Sequence, residues 1–133
     1  MSGVIILRTL LASNAALTAV VPAAKIMAGV IPIGTVLPAI SISQISGMTR
    51  NTIGMNESQV LCTDRVQVTC MAKTYQQQKQ LLDLVRSACP NTRGQINGVA
   101  CDSILKDVTG PDIFDAVETI YFQSVDLIVL YTR

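Results

Sequence analysis

Residues 60–73 carry the plainest pattern: Val66, Val68, Cys70 and Ala72 alternate with Arg65, Gln67, Thr69, Met71 and Lys73. A period of two with one apolar and one polar side predicts a strand with one face in the core and one in water. The period then changes. After Thr74, a candidate N-cap, Leu81, Leu82, Val85, Ala88 and Cys89 form a stripe while Gln76, Gln77, Lys79, Gln80, Asp83 and Arg86 take the other positions. This spacing predicts a helix over 74–89 that Pro90 closes, with Lys79 and Asp83 paired one turn apart. The Gln run at 76–78 fits an exposed helix side, since Gln is a fair helix former.

Toward the N-terminus, Val4, Ile5, Leu7, Leu10 and Leu11 recur at helical spacing, predicting a helix over 2–12 with Ser2 as its cap. Ser13 or Asn14 then caps a short second turn that ends at Pro22. Residues 25–33 and 36–45 are rich in β-branched side chains and read as two strands; in the second, Ile40 and Ile42 face away from Ser41 and Ser43. Residues 46–58, SGMTRNTIGMNES, have no period and read as a long loop. Residues 95–105 read as a strand weakened by Gly98, and 106–118 as an acidic loop holding Asp107, Asp112, Asp115 and Glu118 just after Asp102. The closing segment 119–131 becomes apolar on both faces toward its end, as in a strand covered on both sides. No internal repeat or linker composition appears. The expectation is one α+β domain over 1–133, a mostly antiparallel sheet of about five strands with two main helices on one face.

Composition narrows the function. The chain has 133 residues, 50% of them hydrophobic and 14% charged, with net charge +1 and no His. So balanced a charge offers no field to hold a nucleic-acid backbone. Without His, the usual base near neutral pH and the commonest transition-metal ligand are missing. A mean hydropathy of +0.45 is high for a soluble domain. Its most apolar stretch, 4–24, is interrupted by Arg8, Thr9, Ser13, Asn14, Thr18 and Pro22, so it fits neither a membrane span nor a signal peptide. Apolar surface spread through a small chain points instead to burial against other subunits.

Candidate chemistry is sparse. Cys62, Cys70, Cys89 and Cys101 contain no CxxC pair, and in a single strand Cys62 and Cys70 would lie about 26 Å apart, beyond disulfide reach. Free, buried thiols of a reducing compartment are expected, with no metal site. No GxSxG elbow, EF-hand spacing or phosphate-binding glycine cluster is present, so no catalytic residue, cofactor or metal is assigned. The 46–58 loop is the exception to the bland reading, because long aperiodic loops in compact domains usually bind or assemble.

Three stretches taken together resemble a known family: the apolar first helix leading into IMAGVIPIGTVLPAISIS with Pro32, Gly34, Leu37 and Pro38, the block RVQVTCMAKTYQQQKQLLDLVRSAC at 65–89, and the closing YFQSVDLIVLY at 121–131. They resemble the tail-terminator, or tail-completion, proteins of long-tailed bacteriophages, also called head-tail joining or minor tail proteins. The resemblance implies a non-enzymatic virion protein of the tail or neck, assembled in the host bacterial cytoplasm. It implies a homo-oligomeric ring, typically a hexamer, that caps the tail tube, stops its polymerisation and docks on the head connector or stopper. Partners would be further copies of itself, the tube protein and the connector, with no nucleic acid and no membrane. Head-to-tail closure needs two different patches per subunit. The expected assembly residues are Thr49, Arg50, Asn51, Asn56 and Glu57 in the loop, which meets the tube or a neighbour, and Tyr121, Gln123 and Tyr131 on the strand 119–131, with the first helix as the alternative source of that second patch. The alternatives are a small α+β ligand-binding or enzymatic domain with a pocket beside helix 74–89, or another neck or tube component.

Overall fold

The structure, a computed structural model, describes residues 2–29, 31–32, 36–50, 60–117 and 119–132. Three helices occur among these residues: α1 (Ser2–Ser13), α2 (Ala15–Thr18) and α3 (Tyr75–Ala88). The strands are β1 (Ile26–Ala28), β2 (Ala39–Arg50), β3 (Leu61–Ala72), β4 (Gly94–Ile96), β5 (Val99–Thr109), β6 (Ile113–Asp115) and β7 (Ile120–Thr132). They form one sheet in the order β1-β2-β3-β7-β5-β4, with β6 beside the start of β7. The class is α+β as expected, but the sheet is larger than the five strands read from the sequence and is mixed, because β1 runs parallel to β2.

The centre of the sheet follows from alternation. Cys62, Val66, Val68, Cys70 and Ala72 of β3 are buried on the same side as Val125, Leu127, Val129 and Tyr131 of β7. Helices α1 and α3 cover that side, adding Ile6, Leu7, Leu11, Leu81, Leu82 and Val85 to one continuous core. Burying each such side chain stabilises the fold by roughly 1.5–3 kcal/mol. Thr74 caps α3, its hydroxyl accepting from the Gln77 amide at 3.2 Å, and Asn14 caps α2 by accepting from Leu17 at 3.0 Å. Within α3, Gln78 is buried, so the exposed-side reading of the Gln run fails at that one position.

One polar side chain in the core has a structural task. Asp64, on the buried side of β3, is 3% exposed and accepts from the Gly3 amide in the first turn of α1 at 3.2 Å. A carboxylate at a helix N-terminus satisfies orphan amides and interacts favourably with the helix dipole. Ser2 is thus the first helical residue rather than the cap, and the capping group comes from the sheet. The approach is close enough to need glycine on both sides. A Cβ on Gly3 or on Gly47 would lie 2.9 Å from an Asp64 carboxylate oxygen.

Other sequence expectations shift. Residues 23–25 form a 3-10 turn, and among the described residues of the expected strand 25–33 only Ile26–Ala28 is strand, paired with β2. Strand β2 starts at Ala39 and runs on through Ser46, Gly47, Met48, Thr49 and Arg50, all paired with β3, so the first part of the expected 46–58 loop is strand. The rest of that loop, 51–58, lies outside the described residues. Likewise, 106–109 continue β5 and 113–115 form β6, within what reads as an acidic loop. Gly98 does not weaken a strand but turns one: Asn97 and Gly98, both at positive φ (49° and 81°), join β4 to β5 with Ile96 opposite Val99. That is the conformation a two-residue hairpin turn requires, and Asn-Gly is the pair best suited to it.

Candidate assembly surface

Three surface regions stand out once the core is placed: the sheet face turned away from the helices, an aromatic cluster beside α3, and the outer edges of the sheet. On the open face, Arg65, Gln67, Thr69 and Met71 of β3 lie beside Ser124, Asp126, Ile128 and Phe122 of β7, all half-buried. Arg65 sits between two carboxylates, ion-paired to Asp107 of β5 and, at 3.1 Å, to Asp126. These two hydrogen bonds raise the guanidinium pKa further. Gln67 donates to the Ser124 hydroxyl at 2.9 Å. The face is therefore a hydrogen-bonded polar band across β3, β7 and β5. Met71 and Phe122 flank it at one end, and Ile128, Leu130 and Leu105 at the other.

The aromatic cluster is built from segments far apart in sequence. Tyr75, the first residue of α3, meets Tyr121 edge-on with ring centroids 5.9 Å apart, and Tyr121 lies 4.5 Å from Phe114 of β6. Lys79 lies one turn along, its Nζ 5.1 Å from the Tyr75 ring centre, 2.5 Å from Asp112 and 2.6 Å from the Gln123 carbonyl oxygen. The Tyr75 hydroxyl donates to Asp112 at 3.0 Å. The Lys79 ammonium holds the Asp112 carboxyl below its ordinary pKa, and Asp112 in turn raises that of Lys79. Lys79 thus pairs across the fold rather than with Asp83, which lies 3.8 Å from Arg86 instead. Sequence reasoning missed this cluster because no local spacing links 75, 112 and 121; the one legible hint was the concentration of acids at 102–118.

Among the described residues, the expected assembly residues lie at several places in the fold. Thr49 is exposed on β2, with its hydroxyl 3.9 Å from the Cys62 sulfur, and Arg50 ends that strand. Asn51, Asn56 and Glu57 lie outside the described residues. Tyr121 belongs to the aromatic cluster. Gln123 is buried beneath that cluster, donating to the Gly110 carbonyl at 2.7 Å, and Tyr131 is buried in the core.

A recess of about 350 Å³ lies beside the start of α1, lined by Val4, Ala28, Gly29, Ile42, Ser43 and Gln44, none of them ionisable. Among the described residues no three His, Cys, Asp or Glu side chains gather as metal ligands, and no helix is long and apolar enough to cross a membrane. All four cysteines are free and buried. Burial pushes the Cys70 and Cys89 thiols up to about 12 and raises that of Cys101, which disfavours the thiolate a nucleophile needs.

Comparison with known proteins agrees with a structural reading. No curated protein matches the chain. A chain from a solved structure described as "Virion of native gene transfer agent (GTA) particle" is similar in fold, with a TM-score of 0.70 at 10% identity, covering 99% of this chain and 97% of its own. The family model of tail completion protein gp17 matches residues 6–119. A match over that much of the sequence places the chain in the phage tail completion protein gp17 family, as a structural protein of the phage tail.

Proposed function

We propose that this protein acts as one domain that closes into a ring, a hexamer, on the end of the tail tube, where it stops tube polymerisation and supplies the surface that meets the head connector. The observation that carries this reading is the family match across residues 6–119. The fold likeness to a chain of a gene transfer agent virion supports a place in the particle. So does the exposed apolar surface at β6, where Phe114, 48% exposed, lies against Tyr121 and Val117 follows three residues on at 89%. Singly exposed apolar side chains are ordinary, but clusters of them on a small domain mark contacts with other proteins. The protein works by shape and surface rather than by chemistry. Its partners are copies of itself, the tube protein and the connector, and it joins the virion after folding in the host cytoplasm.

Within this reading, the end of β2 with Thr49 and Arg50, together with Asn51, Asn56 and Glu57 between β2 and β3, reaches the tube end or a neighbouring subunit. The structure narrows the test, because 48–50 are paired with 61–63 and cannot be removed without shortening the sheet. Replacing 51–58 by a two-residue turn is expected to yield tails of irregular length that fail to join heads, seen by electron microscopy of particles complemented with the variant. Particles assembled without the protein should show overlong, unattached tails. Tails of normal length joined to heads in its absence overturn the proposal.

A further inference from the structure

Among the described residues, the sheet has two uncovered edge stretches that differ from each other. On one side, β1 covers only Ile40–Ile42 of β2, leaving residues 45–49 with β3 on one flank and no strand on the other among the described residues. On the opposite side, β4 covers only residues 99–101 of β5, and Asn91 caps the Ile104 amide at 3.0 Å. Residues 105–109 then have β7 on one flank and no described strand beyond. Free edges are normally guarded by charge, proline or cover. Residues 45–49, ISGMT, have neither a charge nor a proline, and those at 105–109, LKDVT, have Lys106 and an Asp107 turned onto Arg65. Each edge instead exposes two apolar side chains: Ile45 and Met48 at 53% and 63%, Leu105 and Val108 at 47% and 54%.

We infer that subunits join by sheet continuation, the 45–49 edge of one copy pairing antiparallel with the 105–109 edge of the next. This rests on the ring reading and names how the ring is held. Three features select a second copy as occupant. Strand direction is the first. Each step along β2, β3, β7 and β5 is antiparallel, so β2 and β5 run in opposite senses and a copy set beside the first presents β5 antiparallel to β2. Charge is the second: one stretch is uncharged and the other balanced, so their approach meets no repulsion.

Offset is the third. Gly47, the middle of the β2 stretch, lies level with Val129 of β7, whereas Asp107 falls between the levels of Leu127 and Val125. Joining the two edges therefore shifts each subunit about three residues, roughly 10 Å, along the strand direction. A sheet that closes on itself needs such a stagger, because its strands tilt to the axis. Two unlike edges also meet the requirement of a heterologous contact that closes by rotation.

The test is cysteine cross-linking in assembled particles. Four double variants combine Ser46→Cys or Met48→Cys with Lys106→Cys or Val108→Cys and complement particles lacking the protein. Mild oxidation should give, for at least one pair, a ladder at multiples of 14.2 kDa on a non-reducing gel, while each single variant stops at the dimer or below. Edge charging is the second arm. Ile45→Lys with Met48→Lys, and separately Leu105→Lys with Val108→Lys, should each abolish complementation while circular dichroism and melting stay those of the parent. No ladder from any pair, together with complementation by both charged variants in particles whose micrographs still show the ring, overturns edge pairing and leaves the ring standing. Particles holding a single copy per tail remove both.

Discussion

The two faces of strand β3 differ in everything but backbone. On one side Val66, Val68 and Cys70 are fully buried beneath α1 and α3; on the other Arg65, Gln67 and Thr69 stay half-exposed, with Arg65 bonded to β7 and β5 and Gln67 to β7. One face supplies cohesion, by removing apolar area from water. The other supplies an ordered surface whose hydrogen bonds and ion pairs are largely offset by those water would make. Changes on the covered face should therefore act on stability, and changes on the open face or the edges on assembly.

The sharpest break of this contrast is Leu81→Ala, which opens a cavity where α3 meets the sheet. Its expected cost is about 2–5 kcal/mol, read from the urea midpoint, and labelling of Cys70 and Cys89 by a thiol reagent should accelerate in proportion. A cost under about 1 kcal/mol, the range of tolerated core swaps, would mean that the helix layer is not the seat of stability.

The buried thiols give a pH counterpart. Burial holds both pKa values near 12 in the fold against an ordinary 9.0, so the neutral form is favoured when folded. Their contribution is complete below pH 9.0 and is lost as pH rises toward about 12. The double variant Cys70→Ala with Cys89→Ala should show a shallower fall in melting temperature over that window than the parent. Equal slopes would place these thiols in water.

Asp64→Ala comes next. It leaves the Gly3 amide buried without its acceptor, at an expected cost of about 1–3 kcal/mol, and hydrogen exchange should quicken first in the opening turn of α1. Thr74→Ala removes the α3 cap and should lower stability by about 1 kcal/mol without altering exchange in α1. The smallest effect belongs to the open face. Arg65→Ala and Asp126→Ala, singly and together, should leave the melting temperature unchanged within error at physiological ionic strength, with any coupling fading as salt is added. A strong, salt-insensitive coupling would show the two faces to be energetically alike.

How much of this was legible depended on whether a signal was local. Strand β3 and helix α3 lie within one residue of their expected limits, because alternation, a Thr cap and a closing proline are written in neighbouring positions. The continuation of β2 through Ser46–Arg50 was not legible, since the Ser-Gly pair there breaks the alternation and disfavours a strand until β3 supplies a full ladder of partners. Strand β5 outruns its expected end for the same reason, with β7 as template. The Lys79–Asp112 pair joins residues 33 apart and the aromatic cluster joins Tyr75 to the still more distant Tyr121, and no periodicity encodes such contacts.

By itself the sequence determined the covered face: which side chains are apolar, at what period, and where helices begin and stop, because these follow from the geometry of single elements. Only the tertiary structure decided which strands lie at the edges, how far they extend beyond their covers, and which charges meet across the sheet. Those depend on distant segments being brought side by side, where backbone pairing outweighs the preference of any one residue.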